Sequence, residues 1–409
     1  MNRMVLLAHP FGNEFVRALL GVLDRAGLLA KFITALGWSN ASPLLHLLPP
    51  KLRAQLARRG YDVPHYQIKT RPACEVARLL ANSLGQHESG WAGLDRVWES
   101  LDRFAAKALC ESKQRQNIGV VYGYEDGAEQ LFTTARELGV RRVYDLPIAY
   151  WETAQRLLQE EAERYPEWEP TLLATRDSAE KFARKTRELD LAELVICPSN
   201  FVFDSLPEKT RVSRPCVVAP FGSPATAPHP THGTDAPLRI LFAGSLTQRK
   251  GLADLFAAMK LLDSKNIELV VMGSLMRPLN WYREKFPHFI YEAPRPHDDV
   301  LRLMQSCDVL VLSSIVEGRA LVQQEAMACG LPLIVTRNAG GDDLIVEGET
   351  GFLVPIRSPE AIAEKINWFA MNRASIDGMG LAAQKRASEL TWAGYGETIL
   401  AAIRSLTGA

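Results

Sequence analysis

Glu317-Gly-Arg-Ala-Leu-Val-Gln-Gln-Glu325 is the stretch on which the fold of this 409-residue chain turns. An apolar run, Asp308-Val-Leu-Val-Leu-Ser313, precedes it and reads as a buried strand; Ala326-Met-Ala-Cys-Gly330 follows and reads as the end of a helix. A strand, a loop and a helix N-terminus in that order make a place where unpaired backbone N–H groups point at an anion. Glu317 falls in the loop and Glu325 about a turn into the helix. Carboxylates so placed can accept hydrogen bonds from sugar hydroxyls while a phosphate sits on the helix N-terminus between them. The stretch therefore predicts a nucleotide-sugar site on an α/β scaffold.

The same alternation fills the second half. Leu238–Ala243, Ile267–Met272 and Leu331–Thr336 read as further strands, and Leu252–Leu262 and His297–Cys307 have helical spacing. Strands that are apolar on both faces and alternate with helices predict a parallel sheet covered on both sides. The first half is less regular. Met4–Ala8, Ile118–Tyr122, Arg142–Asp145 and Leu194–Cys197 read as strands, Phe15–Ala26 and Ala128–Leu138 as helices, and Trp151–Leu191 as one long, charged helical segment rich in acids. Between the halves, Gly222–Pro237 has four prolines and no apolar periodicity, which marks a linker. The expected division is a first domain at 1–222, a linker at 223–237, a second domain at 238–385 and a helical segment at 386–409. Two open parallel sheets on a linker imply a cleft, with ligands at the C-terminal ends of the strands.

Composition narrows the function classes. Hydrophobic content of 47% is enough for two cores, and 47 basic against 47 acidic residues leave no global field to draw the chain to nucleic acid or to a membrane. No run of 18 apolar residues occurs, and the N-terminus turns at His9-Pro10 after only a few apolar residues, so it reads as a first strand and not as a signal peptide. The six cysteines lack Cys-x-x-Cys spacing and read as reduced, buried thiols of a cytoplasmic protein. His229 and His232 sit in the linker without a third ligand, which reads as solvated chain. The dinucleotide fingerprint, the P-loop, His-Glu-x-x-His, Gly-x-Ser-x-Gly and Asp-x-Asp are all absent.

Two other loops follow strands and open helices. In Gly244-Ser-Leu-Thr-Gln-Arg-Lys-Gly251, the glycines permit tight backbone geometry, and Arg249 and Lys250 bring two cations to the cleft, enough to stabilise a leaving diphosphate without a metal. In His9-Pro-Phe-Gly-Asn13, Gly12 lets backbone approach a ligand and Asn13 is placed to cap the next helix. Asn338–Asp343 and Gly348–Gly351 read as turns.

Together these motifs resemble those of glycosyltransferase family 4. The resemblance rests on Gly244–Gly251, Glu317–Glu325, Ala326–Pro332 and Gly340 to Pro355, and more weakly on His9–Asn13, Val195–Ser199 and Val218–Gly222. The resemblance implies the GT-B architecture, two Rossmann-like domains facing across a cleft, and a retaining transfer from a nucleotide sugar with no metal or other cofactor. By position, it implies that Glu325 holds the ribose hydroxyls and that Glu317 contacts the donor sugar near its reacting end. Lys250 then neutralises the diphosphate, the backbone of Arg319, Ala320 and Leu321 lines sugar and phosphate, and Gly12 approaches from the first domain. Glu317, Arg249 and Lys250 are the expected catalytic set, with Gly12, Asn13, Gly244 and Ser245 completing the donor-binding set.

The chain departs from the family pattern twice. Ser245 stands where the family often has Arg, with Arg249 as the replacement charge across the loop. Tyr144–Trp151 lacks the His that the family often places near the donor sugar, with Asp145 as the substitute contact. The expected partners are a UDP- or GDP-sugar and a glycan, lipid-linked or small-molecule acceptor, not nucleic acid. Leu45–Arg59 mixes apolar and basic residues and reads first as a surface helix, second as peripheral contact with the inner face of an anionic membrane. Leu390–Leu406 is amphipathic, and the resemblance has it crossing back to the first domain. The rival readings are a nucleotide-sugar-binding protein without turnover, a degenerate glycosyltransferase that acts with a partner, and a GT-B sugar-nucleotide epimerase.

Overall fold

The structure, a computed structural model, describes residues 3–41, 59–83, 93–226 and 236–408. In chain order, the first half supplies β1 (Met4–Ala8), β2 (Leu29–Thr34), β3 (Trp38–Ser39), β4 (Gly60–Tyr61), β5 (Ile68–Thr70), β6 (Ile118–Tyr124), β7 (Arg141–Asp145), β8 (Leu194–Cys197) and β9 (Cys216–Val218). β3 and β4 pair with each other, and the other seven form one sheet in the order β5-β2-β1-β6-β7-β8-β9. The second half supplies β10 (Leu238–Ala243), β11 (Ile267–Met272), β12 (Ile290–Glu292), β13 (Val309–Leu312), β14 (Leu333–Thr336) and β15 (Gly351–Val354) in the order β12-β11-β10-β13-β14-β15. Every neighbouring pair in both large sheets is parallel.

Both sheets follow the doubly wound, Rossmann-like plan. Helices cover both faces, so the central strands are buried on both sides, which is why β1 and β13 are continuous apolar runs and β10 is apolar but for Arg239 near its start. In each sheet the order reverses between two central strands, β1 and β6 in the first, β10 and β13 in the second. A crevice opens at that point beyond the strands' C-terminal ends, and the loops after β1, β10 and β13 rim it.

Helix Trp392–Thr407 packs on the first domain, not the second. Tyr395, Ile399, Leu400 and Ile403 share a core with Val16, Leu19, Leu20 and Leu23 of helix Glu14–Arg25. The two helices approach so closely that a Cβ on Gly396 would lie 2.4 Å from Val22. The two crossings between domains run side by side: the Ser223 N–H donates to the Leu390 carbonyl at 2.8 Å, and a Cβ on Gly222 would lie 2.3 Å from the Trp392 nitrogen.

The segment expected as one long helix, Trp151–Leu191, is broken. It forms helix Trp151–Arg164, 3₁₀ turns over Pro166–Thr171 and Leu173–Arg176, and helix Ala179–Leu191, which Ser178 caps. Pro166 and Pro170 interrupt the α-helical hydrogen bonding. The break carries Trp168 into the core of the second domain, against Phe256, Trp281 and Tyr282. Residues 45–58 of the amphipathic stretch and residues 227–235 of the linker lie outside the described residues. Among the described residues, no helix is long and apolar enough to cross a membrane.

Candidate functional site

The loop after β10 is shaped by two glycines. Gly244 has φ 147°, and the Lys250 side chain lies over it, 2.8 Å from where a Cβ would stand. Gly251 has φ 72°, and a Cβ there would meet the Ser313 carbonyl oxygen at 2.0 Å. Only glycine meets both demands at Gly251, and this close approach brings the loop against the end of β13. Between them, Gln248–Lys250 forms a 3₁₀ turn whose N-cap, the Thr247 hydroxyl, accepts from the Lys250 N–H at 3.4 Å. On the other side the Ile315 N–H donates to the Arg249 carbonyl at 2.8 Å. The loops that carry the cations and Glu317 are thus joined through backbone.

Glu317 Oε1 lies 2.6 Å from Lys250 Nζ and 2.8 Å from Arg249 Nη1. Glu317 is 9% exposed. Burial opposes its ionisation, but Lys250 and then Arg249 outweigh that and hold it below the usual carboxylate range. One anion between two cations leaves a surplus positive charge, which suits a diphosphate.

Lys250 also lines a cavity of about 470 Å³ with Gly244, Ser245, Ala320, Leu321, Val322 and Glu325. Helix Leu321–Ala328 begins there, and Ala320 at its N-cap provides no side-chain bond; the Gln323 N–H donates to the Ala320 carbonyl at 3.0 Å, which leaves the N–H groups of Leu321 and Val322 for an anion. Glu325 lies on the cavity wall with His297 Nδ1 3.8 Å from its Oε1. Burial raises the Glu325 carboxyl above its usual range, and His297 partly offsets this. Ser245 and Ser274 join their loops through a 3.1 Å contact between hydroxyls.

Other expected residues fall elsewhere. The Arg319 side chain turns away from the cavity to reach Asp343 at 2.7 Å and Gln324 at 2.9 Å, and so braces the loop after β14. Gly12 and Asn13 are not on the cavity wall, and Glu317 and Arg249 stand behind Lys250 and not on the wall itself, Arg249 Nη1 donating to the Val316 carbonyl at 3.0 Å. Gly12 sits where a Cβ would lie within 2.9 Å of Arg17 and Tyr61, and Asn13 occupies the N-cap position without a side-chain bond to the helix. The sugar contact expected of Asp145 is not what the structure shows. Alternation along β7 places Asp145 on the same side as Val143, and its carboxylate accepts from the Tyr122 hydroxyl at 2.5 Å. That is the sheet face covered by the C-terminal helix with Tyr395, and burial pushes the Asp145 carboxyl up to about 7.

The sequence reading missed Met272, Gly273, Ser274, Pro294, Arg295 and His297, all on the cavity wall. His297 opens helix His297–Met304 after β12, so the same strand–loop–helix logic applied there would have found it. β12 itself is a three-residue edge strand without a pattern to announce it.

Residues 230–386 match the family Glycosyl transferases group 1. The capsular polysaccharide biosynthesis glycosyltransferase CapM of Staphylococcus aureus is 30% identical over 165 residues, which are 37% of this chain and 43% of that protein. The chain matches less than half the length of the curated relatives that resemble it in sequence. Over its whole length the fold is similar to sucrose-phosphate synthase of Thermosynechococcus elongatus, with a TM-score of 0.68, 17% identity and 100% of both chains covered. It is also similar to HepE of Anabaena, solved in complex with UDP, with a TM-score of 0.61, 15% identity, and 98% of this chain and 100% of that one covered. The architecture is GT-B, two Rossmann-like parallel-sheet domains facing across a cleft.

Proposed function

We propose that this chain is a retaining glycosyltransferase of the hexosyl type, resembling family 4, that moves a sugar from a UDP- or GDP-sugar to a glycan, lipid-linked or small-molecule acceptor without a metal. The observation that carries the reading is the buried Glu317 between Lys250 and Arg249, beside a cavity that Glu325 and an uncapped helix N-terminus also line. In this arrangement Glu325 accepts hydrogen bonds from the ribose hydroxyls. The diphosphate lies against the N–H groups of Leu321 and Val322 and draws on the surplus charge of Lys250 and Arg249. Glu317 meets the donor sugar.

The acceptor hydroxyl attacks the anomeric carbon on the face from which the diphosphate leaves. The new carbon–oxygen bond forms as the anomeric carbon–phosphate oxygen bond breaks, and the hydroxyl proton passes to a leaving phosphate oxygen. The products are the glycoside and the nucleoside diphosphate. Catalysis is then positioning and charge stabilisation. The likeness of the second domain to a capsular polysaccharide glycosyltransferase favours a cell-surface glycan acceptor.

The test is a thermal-shift panel of UDP, GDP, ADP and their common sugar conjugates, followed by product analysis with the nucleotide that binds. A ligand at a hundred times its dissociation constant adds about 2.7 kcal/mol. One nucleotide is expected to raise the melting temperature of the protein and not of Glu325→Ala, and its sugar conjugate to yield a glycoside. A free epimer would move the assignment to a sugar-nucleotide epimerase. Binding with no product under any acceptor would leave a nucleotide-sugar-binding protein.

A further inference from the structure

Gln248 precedes the two cations directly, is fully buried, and lies off the cavity wall. Every hydrogen-bonding group of its side-chain amide is matched. Nε2 donates to Glu161 Oε2 at 2.6 Å and to Asp254 Oδ2 at 2.9 Å, and Oε1 accepts from the Ala253 N–H at 2.9 Å. Its backbone N–H donates to the Thr171 hydroxyl at 3.1 Å, and that hydroxyl donates in turn to the Trp168 carbonyl at 2.7 Å. Glu161 and Thr171 belong to the segment between β7 and β8 of the first sheet; Gln248 and Asp254 belong to the second domain.

The far ends of this relay are also anchored. Asp254 Oδ1 lies 2.7 Å from Arg164 Nη1, and Glu161 is paired with Arg357. Arg357 has φ 63°, a left-handed conformation that a non-glycine residue keeps only where its surroundings impose it. Here its carbonyl accepts from Arg164 at 3.2 Å, and its guanidinium reaches Glu160 at 2.7 Å and the Leu157 carbonyl at 3.1 Å. Two buried carboxylates and two guanidiniums therefore surround one glutamine, with the Trp168 ring inserted beside them in the second core.

We infer that the turn Pro166–Thr171 is a latch from the first domain that positions the cation-bearing turn of the second: Thr171 and the Glu161–Gln248–Asp254 relay hold Gln248–Lys250 so that Arg249 and Lys250 point at the diphosphate. The inference rests on the donor-site reading above. Gln248 and Thr171 are positioning residues, since neither lines the cavity. A mere interdomain tie would stabilise the fold equally for every ligand. A latch acts on the phosphate end of the site alone, because Glu325 is carried by a different helix.

The experiment is isothermal titration of UDP, GDP and ADP, and of uridine, guanosine and adenosine, into the wild-type chain, Thr171→Val, Thr171→Ser and Gln248→Met. Thr171→Val keeps the shape but leaves the buried Gln248 N–H without an acceptor, a change of roughly the size that shifts affinity about tenfold. The diphosphate that binds wild type is expected to bind Thr171→Val and Gln248→Met about tenfold more weakly, with nucleoside affinity unchanged and Thr171→Ser like wild type. Folded variants that keep wild-type diphosphate affinity, or that lose diphosphate and nucleoside affinity in equal proportion, would overturn the latch and leave the donor site standing. A wild-type chain that binds none of the three diphosphates would overturn the donor-site reading and the latch with it.

Discussion

Glu317 is where the site's chemistry and its stability meet. Judged as a cleft residue from its place in a loop, it would be replaceable with little loss of stability. The structure corrects this, because the carboxylate is buried and is the shared counter-ion of Lys250 and Arg249. Removing one partner of a buried ion group leaves charge uncompensated. Glu317→Gln should therefore lower unfolding free energy by about 3 kcal/mol as well as turnover, at the low end of the range because Arg249 keeps partial contact with water. Denaturant unfolding checks this, and a variant as stable as wild type would show that the pair is solvated. Glu325 makes the complementary case. Burial raises its carboxyl, so it takes up a proton at a higher pH than a solvated glutamate would, and the protonated form is the poorer acceptor for ribose hydroxyls. Nucleotide affinity should fall as pH drops through that raised value, and Glu325→Gln should bind weakly with the carboxyl-linked part of the slope gone. Titration calorimetry across pH reads both, with His297→Gln as the control for the neighbouring imidazole.

At the scale of elements, β7 carries a second pH effect. The Asp145 carboxyl is pushed up to about 7 by burial, whereas in the unfolded chain it ionises near 3.8. The folded state thus holds a proton that the unfolded state has lost, and stability falls as pH rises between those values, levelling off above the folded one. From pH 5.5 to 8 this removes about 2 kcal/mol. Asp145→Asn, which keeps the acceptor for Tyr122, should lose less over the same interval in melts at the two pH values; equal losses would mean the carboxyl is already ionised at 5.5. Asp145 also shows where sequence reading stops. Its place at the end of a strand was legible, but the face it points to depends on the C-terminal helix that covers it. The Glu317–Glu325 stretch, the loop Gly244–Gly251 and the strands that precede them were legible because each is a local pattern of apolar run, glycine turn and helix start. β2 was not, since Lys31 interrupts it and is accommodated only by reaching the Tyr66 carbonyl at 2.6 Å. Nor was the latch, whose members Glu161 and Gln248 stand 87 residues apart. No short-range period encodes such a contact.

For the whole molecule, the contact between domains runs through the site. Ile315 and Val316 sit in an apolar cluster with Leu157, Leu158, Leu172 and Phe201 of the first domain. The next turn is tighter still. The Ser199 hydroxyl donates to the Gly318 carbonyl at 2.6 Å, and a Cβ on Gly318 would lie 1.8 Å from the Pro147 carbonyl oxygen. Gly318→Ala should therefore push the domains apart while leaving each folded. Small-angle scattering would show a larger radius of gyration and calorimetry a weaker donor, and an unchanged radius would mean that the loop yields instead. The paired crossings at Ser223 and Leu390 have one more consequence, for synthesis. The first domain is discontinuous in the chain: its core lacks Tyr395, Ile399, Leu400 and Ile403 until the helix that follows the second domain has left the ribosome. The second domain, contiguous between the crossings, can close its own core earlier, although Trp168 must reach it from upstream. The nascent chain thus emerges with the inner face of helix Glu14–Arg25 bare and carries it uncovered while the second domain is made. The half that is made first is finished last.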